Sequence, residues 1–290
     1  MLVCTSLAGR HSRDFINVDG PFPQIRTLLL CTHGSGYNPR KIEGLAIEAA
    51  KKAGQLSSTA ILTMQWMRDK ELQSYGLKED PDAPWMLWSD SDNSGWKGLG
   101  DASSTDAYPR PQSMQFSSLE VFELLLSHMT DCKKFPNLRN IVVMGHSGGG
   151  YLVQRLMLAS ALSERLINNS NYRLQYMSAG NTYFAYFDST RAVDPDVEPS
   201  QLRMAPFDAT AKNCSSYDKW GCGYRSLPRM LKNITAEEAA RRHRNTYVTV
   251  GAEDTGPKDK TCEMAIQGSH RLNKQRAWAA YLKHFFGEWQ

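Results

Sequence analysis

Residues 141–150 read "IVVMGHSGGG". Ile141 to Met144 form a short, unbroken, largely β-branched run, the pattern of a strand buried on both faces of a parallel sheet. The run stops at Gly145. Beyond it Tyr151, Leu152, Leu156 and Met157 recur at helical spacing while Gln154, Arg155 and Ser160 fill the opposite face, so the chain passes directly into an amphipathic helix. A side chain at the apex of such a strand-to-helix turn takes a strained backbone conformation, and its neighbours two positions away must be small for strand and helix to approach. Gly145 and Gly149 meet that need around Ser147. The pattern lifts the Ser147 hydroxyl above the sheet, near the positive end of a helix. A phosphate-binding loop would end in Gly-Lys-Ser/Thr or place its first glycine earlier, and neither is present. Ser147 therefore reads as a nucleophile.

A nucleophilic serine needs an oxyanion hole, a base and a group to orient the base. Upstream, "TLLLCTHGSGYN" is a second buried-strand pattern, Thr27 to Thr32, opening into His33, Gly34, Ser35 and Gly36. Small residues there let the backbone approach a carbonyl, so the amides of Ser35 and Gly148 are the expected oxyanion donors, with His33 bracing the loop. Downstream, "NTYVTVGAEDTGP" gives a strand from Tyr247 to Val250 and then Asp254 in a loop. Next, "QGSHRLNKQRAWAAYLKHFF" sets His270 just before a helix with Ala277, Trp278, Tyr281, Leu282 and Phe285 on one stripe. The order Ser147, Asp254, His270 makes these the expected nucleophile, acid and base. Glu253 is an alternative acid, and His243 and His284 are alternative bases that lie inside helical patterns.

These features resemble the α/β-hydrolase superfamily over nearly the whole chain, from about Arg26 onward. The resemblance is closer still to a little-characterised group of α/β-hydrolases sharing the pieces that stand here as "THGSGYN", "SSLEVFELLLSHM", "FPNLRNIVVMGHSGG", "NTYFAYFD", "TYVTVGAEDTGP" and "CEMAIQGSHRL". It implies an α/β-hydrolase fold, a mostly parallel sheet with helices on both faces, and the Ser147, His270, Asp254 triad with donors at Ser35 and Gly148. It also implies a disulfide between Cys214 and Cys262. One departure is Gly148, where the group more often has alanine. The resemblance supplies no substrate; the expected activity is carboxylic ester hydrolysis through an acyl-enzyme, because amide hydrolysis demands stronger protonation of the leaving group and no additional acid is placed for it. A peptidase or amide hydrolase using the same triad is the alternative, and beyond it a non-catalytic binding protein or a lyase using the triad as a proton relay.

The chain of 290 residues is 41% hydrophobic and 22% charged, as expected for a single domain over residues 1–290. A formal charge of +4 without a Lys/Arg block gives no support to nucleic acid binding. No apolar run is long enough to span a membrane. No Cys-x-x-Cys or histidine spacing supports a metal, and no cofactor is implied. The first twenty residues lack a signal-peptide core. Asn168, Asn213 and Asn233 stand in glycosylation triplets, so the compartment reading leans to extracytoplasmic with a signal outside this numbering, otherwise cytoplasmic. Two segments are expected to set specificity. Residues 67–115 form a Trp-rich loop with Trp85, Trp88 and Trp96, ending at a capping box of Ser117 and Glu120 before a helix whose apolar face is Val121, Leu124, Leu125 and Met129. Residues 181–237 form a cap-like aromatic excursion. Trp88 and Tyr183 are the expected pocket residues.

Overall fold

The structure is a computed structural model that describes residues 3–7, 10–12, 21–74, 86–89, 91, 93–102, 116–243, 246–256 and 261–287. Five apolar segments supply a parallel core sheet: β3 (Thr27–Thr32), β4 (Thr59–Met64), β5 (Asn140–His146), β6 (Arg173–Ala179) and β9 (Thr246–Thr249). With β1 (Val3–Leu7) and β2 (Arg10–Ser12) they form a seven-stranded sheet in the order β2-β1-β4-β3-β5-β6-β9. β1 runs antiparallel to both β2 and β4. A separate antiparallel pair joins β7 (Thr190–Ala192) to β8 (Met204–Pro206). Parallel neighbours need crossovers, and helices provide them on both faces of the sheet.

One face is covered by α1 (Pro39–Lys52), which sets Ala46 and Ala50 against Cys31 and Ile61. Asn38 caps this helix by accepting from the Lys41 amide at 3.0 Å, and Pro39 occupies its first position. The other face carries α4 (Gly148–Ala159), and α3 (Ser118–Met129) and α8 (Arg271–Phe286) add buried residues to the same core cluster as Leu28, Leu30, Ile141 and Val143, α8 packing beside β7 and β8. This asymmetry modifies the expectation for β5, which alternates between fully buried residues under α4 and half-buried ones facing α1. The strand also runs one residue beyond Gly145, pairing His146 with Ala179 of β6.

The Ser117 capping box forms as expected: Ser117 Oγ accepts from the Glu120 amide at 3.1 Å and Glu120 Oε2 accepts from the Ser117 amide at 2.8 Å. The buried stripe of α3 is Val121, Phe122, Leu125, Leu126 and Met129, while Leu124, expected inside, is 61% exposed. The helix packs against α4 and α5 (Ala161–Ile167), which turns the stripe about one residue away from the expected face.

Within 67–115 the described residues include a short helix, α2 (Asp69–Ser74), and a 3-10 turn at Trp96–Gly98; Trp85 lies outside the described residues. Indole rings gather here: Trp66 meets Trp88 edge-on at 5.1 Å and stacks on Trp96 at 6.0 Å. In the excursion after β6, Phe184, Tyr186 and Phe187 run inward against Trp278 of α8. Two buried arginines rivet its far end. Arg191 donates to the carbonyls of Tyr217 and Cys222, both at 3.1 Å, and Arg155 donates to that of Gly221 at 2.5 Å. Both guanidiniums also lie over aromatic faces, Tyr151 for Arg155 and Tyr186 for Arg191. A disulfide between Cys214 and Cys262 ties the excursion to α7 (Cys262–Ala265), just ahead of the His270 loop. α6 (Ala236–Arg242) then leads back to β9.

Candidate active site

The site is built on the turn between β5 and α4. Ser147 has φ 57° and ψ −121°, a left-handed conformation that a non-glycine residue holds only where its surroundings enforce it. Its amide donates to Ala179 O at 2.8 Å and its carbonyl accepts from Tyr151 N at 3.0 Å, which pins the apex between β6 and α4. The flanking glycines are required sterically. A Cβ on Gly145 would lie 2.4 Å from Gly149 O, and one on Gly149 would lie 2.6 Å from His33 O.

The His33 loop packs directly onto this turn, for a Cβ on Gly34 would fall 2.9 Å from His146 O. His33 is fully buried. Its Nδ1 donates to Gly34 O at 2.8 Å and its Nε2 accepts from Trp66 N at 3.0 Å, so one neutral tautomer clamps the loop to β4. Burial pulls its pKa down to about 4. It is a brace, as expected, and is unavailable as a base. Ser35 then arrives beside Gly148: a Cβ at 148 would lie 2.8 Å from Ser35 Oγ, 3.3 Å from Ser35 N and 3.2 Å from Lys97 Cδ. The departure from alanine at 148 thus has a local reason, because the Ser35 hydroxyl and the Lys97 stem occupy the space a methyl would need.

His243, at the end of α6, is likewise buried, with burial pulling its pKa down to about 4. Both histidines are neutral in the native state but take up protons near pH 6.5 when unfolded, so unfolding binds protons in this window. Stability is fully present above about pH 6.5 and falls as pH drops toward 4, by up to about 1.4 kcal/mol per pH unit for each histidine. Denaturant unfolding at stepped pH should show this slope, and His243→Phe should make it shallower. An equal slope in that variant would refute the assignment to His243.

On the other side of Ser147, Asp254 sits in the loop after β9, its amide donating to Gly251 O at 3.0 Å. The Leu272 amide donates to Asp254 O at 3.3 Å, fastening the first turn of α8 to the acid loop. The group that joins Ser147 and Asp254 is Arg271. Its Nη2 donates to Ser147 Oγ at 3.3 Å and its Nη1 to Asp254 Oδ2 at 3.4 Å. His270 is the N-cap of α8, with Nδ1 accepting from the Asn273 amide at 3.4 Å. Among the described residues no hydrogen bond joins His270 to Ser147 or Asp254.

Near His270 stands Asp196, which accepts from Ser269 N at 2.7 Å and Asn273 Nδ2 at 2.8 Å. Burial pushes the Asp196 pKa up, but these bonds and the His270 charge outweigh it and hold the carboxyl below its usual range. His146 borders the site from β5, and burial lowers its pKa, helped by Arg271 and Lys41 and opposed by Asp254.

Trp88 and Tyr183 are each 1% exposed. Trp88 packs on Trp66 behind the His33 loop, and Tyr183 packs on Tyr151 at 4.2 Å. In this structure both form the layer behind the site. Arg271, Lys97 and Asp196 were not singled out from sequence. Arg271 did leave one signal, a cation in the first turn of a helix with no acidic residue beside it, against the helix dipole. The cluster of Cys214, Cys262 and Glu263 offers no metal site, since its two sulfurs are joined to each other.

The chain matches no family model and no curated protein. Solved structures do match. A poly(3-hydroxybutyrate) depolymerase from Bordetella parapertussis is 16% identical with a TM-score of 0.52, over 92% of this chain and 69% of that one. Poly(aspartic acid) hydrolase-1 from Sphingomonas sp. KT-1 is 16% identical with a TM-score of 0.52, over 92% of this chain and 77% of that one. The strand order, the strained serine turn between β5 and α4 and these likenesses agree: the chain has the α/β-hydrolase fold.

Proposed function

We propose that the protein is a serine hydrolase that cleaves carboxylic esters through an acyl-enzyme. The observation that carries this reading is the backbone of Ser147, strained at φ 57° on a turn whose glycines admit no Cβ. Ser147 is the nucleophile, the amides of Ser35 and Gly148 hold the oxyanion, His270 is the base and Asp254 orients it. His270 takes the Ser147 proton as the alkoxide attacks the carbonyl, the imidazolium returns it to the leaving alcohol, and water activated by the same ring releases the acid. Two contacts must exchange for this. His270 leaves the Asn273 amide so that its ring can turn, and Arg271 leaves the Ser147 hydroxyl. The His270 and Asp254 loops are already joined through Leu272, which keeps the required movement local.

The names of two proteins of the same fold, a poly(3-hydroxybutyrate) depolymerase and a poly(aspartic acid) hydrolase, support hydrolysis at a carbonyl and a small or polymeric substrate. The second name also favours amide hydrolysis as an alternative to ester. Residues 67–115 and 181–237 are the proposed specificity segments. Trp88 and Tyr183 are proposed to line the pocket, which they can do only if the layers covering them part.

Intact-mass measurement after exposure to a fluorophosphonate tests the nucleophile: one adduct on the wild type and none on Ser147→Ala. The base is tested by comparing His270→Ala with His146→Ala. A loss of about a hundredfold or more in kcat/KM is expected for His270→Ala. A loss confined to His146→Ala would move the base to the residue beside the nucleophile.

A further inference from the structure

Arg271 is placed at a cost, between the Asp254 carboxylate and the uncharged Ser147 hydroxyl. It opens α8, where a cation opposes the helix dipole, and the first turn contains no acidic residue to offset it. Its guanidinium makes one bond to Asp254 at 3.4 Å and one to the Ser147 hydroxyl at 3.3 Å, both longer than charge-assisted bonds of good geometry and neither bidentate. The Arg271 side chain is 32% exposed, so solvent and ligands reach it. A guanidinium has no acceptor and keeps its proton at every working pH, so Arg271 cannot be the base for Ser147.

Lys41 adds positive charge on the same side, joining Arg271 in lowering the pKa of His146. A guanidinium held next to a nucleophile, with donors to spare, presents the fork that a carboxylate fits. We propose that Arg271 is a specificity-determining residue that clamps a carboxylate on the acyl part of the substrate, selecting anionic esters over neutral ones. The clamp exchanges one long bond to a neutral hydroxyl for two short charge-assisted bonds, and in doing so draws the guanidinium off Ser147. The inference rests on the serine hydrolase reading and adds the substrate class to it.

The test uses two p-nitrophenyl esters with equal acyl length, the hexanoate and the hemiadipate, on wild type, Arg271→Gln and Arg271→Lys. The expected wild-type preference for the hemiadipate in kcat/KM is about tenfold or more. In Arg271→Gln the ratio of the two kcat/KM values falls by about tenfold, and Arg271→Lys restores part of it. A merely structural tie between loops would lower both values together and leave the ratio unmoved. A ratio within about twofold of wild type in Arg271→Gln, or a wild type that prefers the hexanoate, overturns the proposal.

Fluorophosphonate labelling and calorimetric titration with adipate separate this from the parent reading. If wild type is neither labelled nor active, the hydrolase reading fails and adipate binding decides alone. Binding to wild type that is lost in Arg271→Gln upholds the anion clamp, while absent or equal binding overturns it.

Discussion

Alanine in place of Ser147 is expected to lower ester turnover by about 10⁴-fold or more while leaving the fold intact, because in the proposed mechanism the residue supplies the reacting atom and it contributes little of the packing. The stronger form of the prediction uses Ser147→Gly. Ser147 holds φ 57° and ψ −121°, a conformation costing about 1–3 kcal/mol in a non-glycine residue. Glycine adopts it without that strain, against about 0.5–1 kcal/mol of added chain entropy in the unfolded state. Ser147→Gly should therefore lose turnover yet unfold at or above the wild-type temperature. Calorimetry alongside the ester assay checks both halves. Turnover near wild type in either variant would put the nucleophile elsewhere, and a clearly lowered Tm in Ser147→Gly would refute the strain argument.

Removing the disulfide is expected to have the largest effect on stability. Cys214 and Cys262 stand 48 residues apart in sequence, and a cross-link of that span constrains the unfolded chain by about 4 kcal/mol. The double variant Cys214→Ala, Cys262→Ala should accordingly unfold roughly 10 °C lower. Catalysis should suffer as well, since the bond anchors α7, which leads directly into the His270 loop. Thermal unfolding of the variant, and of wild type with and without reductant, measures the effect. A change below about 1 kcal/mol would mean that the buried arginines Arg155 and Arg191 alone hold the excursion in place.

Gly145 and Gly149 show why the serine turn was readable from the chain alone. The contact that excludes a side chain, a Cβ on Gly145 against Gly149 O, spans four residues and hardly depends on the rest of the molecule. The capping box of Ser117 and Glu120 is local in the same way. The brace at His33 was legible because a histidine between a buried strand and a glycine turn has few other places to go. Leu124 marks where this legibility ends. Its position in the helical repeat is compatible with a core face, but α4 and α5 settle which stripe of α3 is covered. The aromatic residues Trp88 and Tyr183 were ambiguous for a related reason, since a tryptophan suited to line a pocket is equally suited to fill the layer behind it.

The sequence by itself determined the strand-to-helix turn, the strained serine, the small residues of the His33 loop and the order of the Asp254 and His270 loops, because each depends on sterics and periodicity within a few residues. The tertiary structure alone decided which charged group reaches Ser147. Arg271, rather than His270, spans Ser147 and Asp254, and the imidazole caps α8 beside Asp196. Neighbouring residues at a helix start diverge in direction, so their positions in sequence set which loops meet. Long-range packing of α8 on β7, β8 and the aromatic residues Phe184, Tyr186 and Phe187 sets which side chain faces the serine.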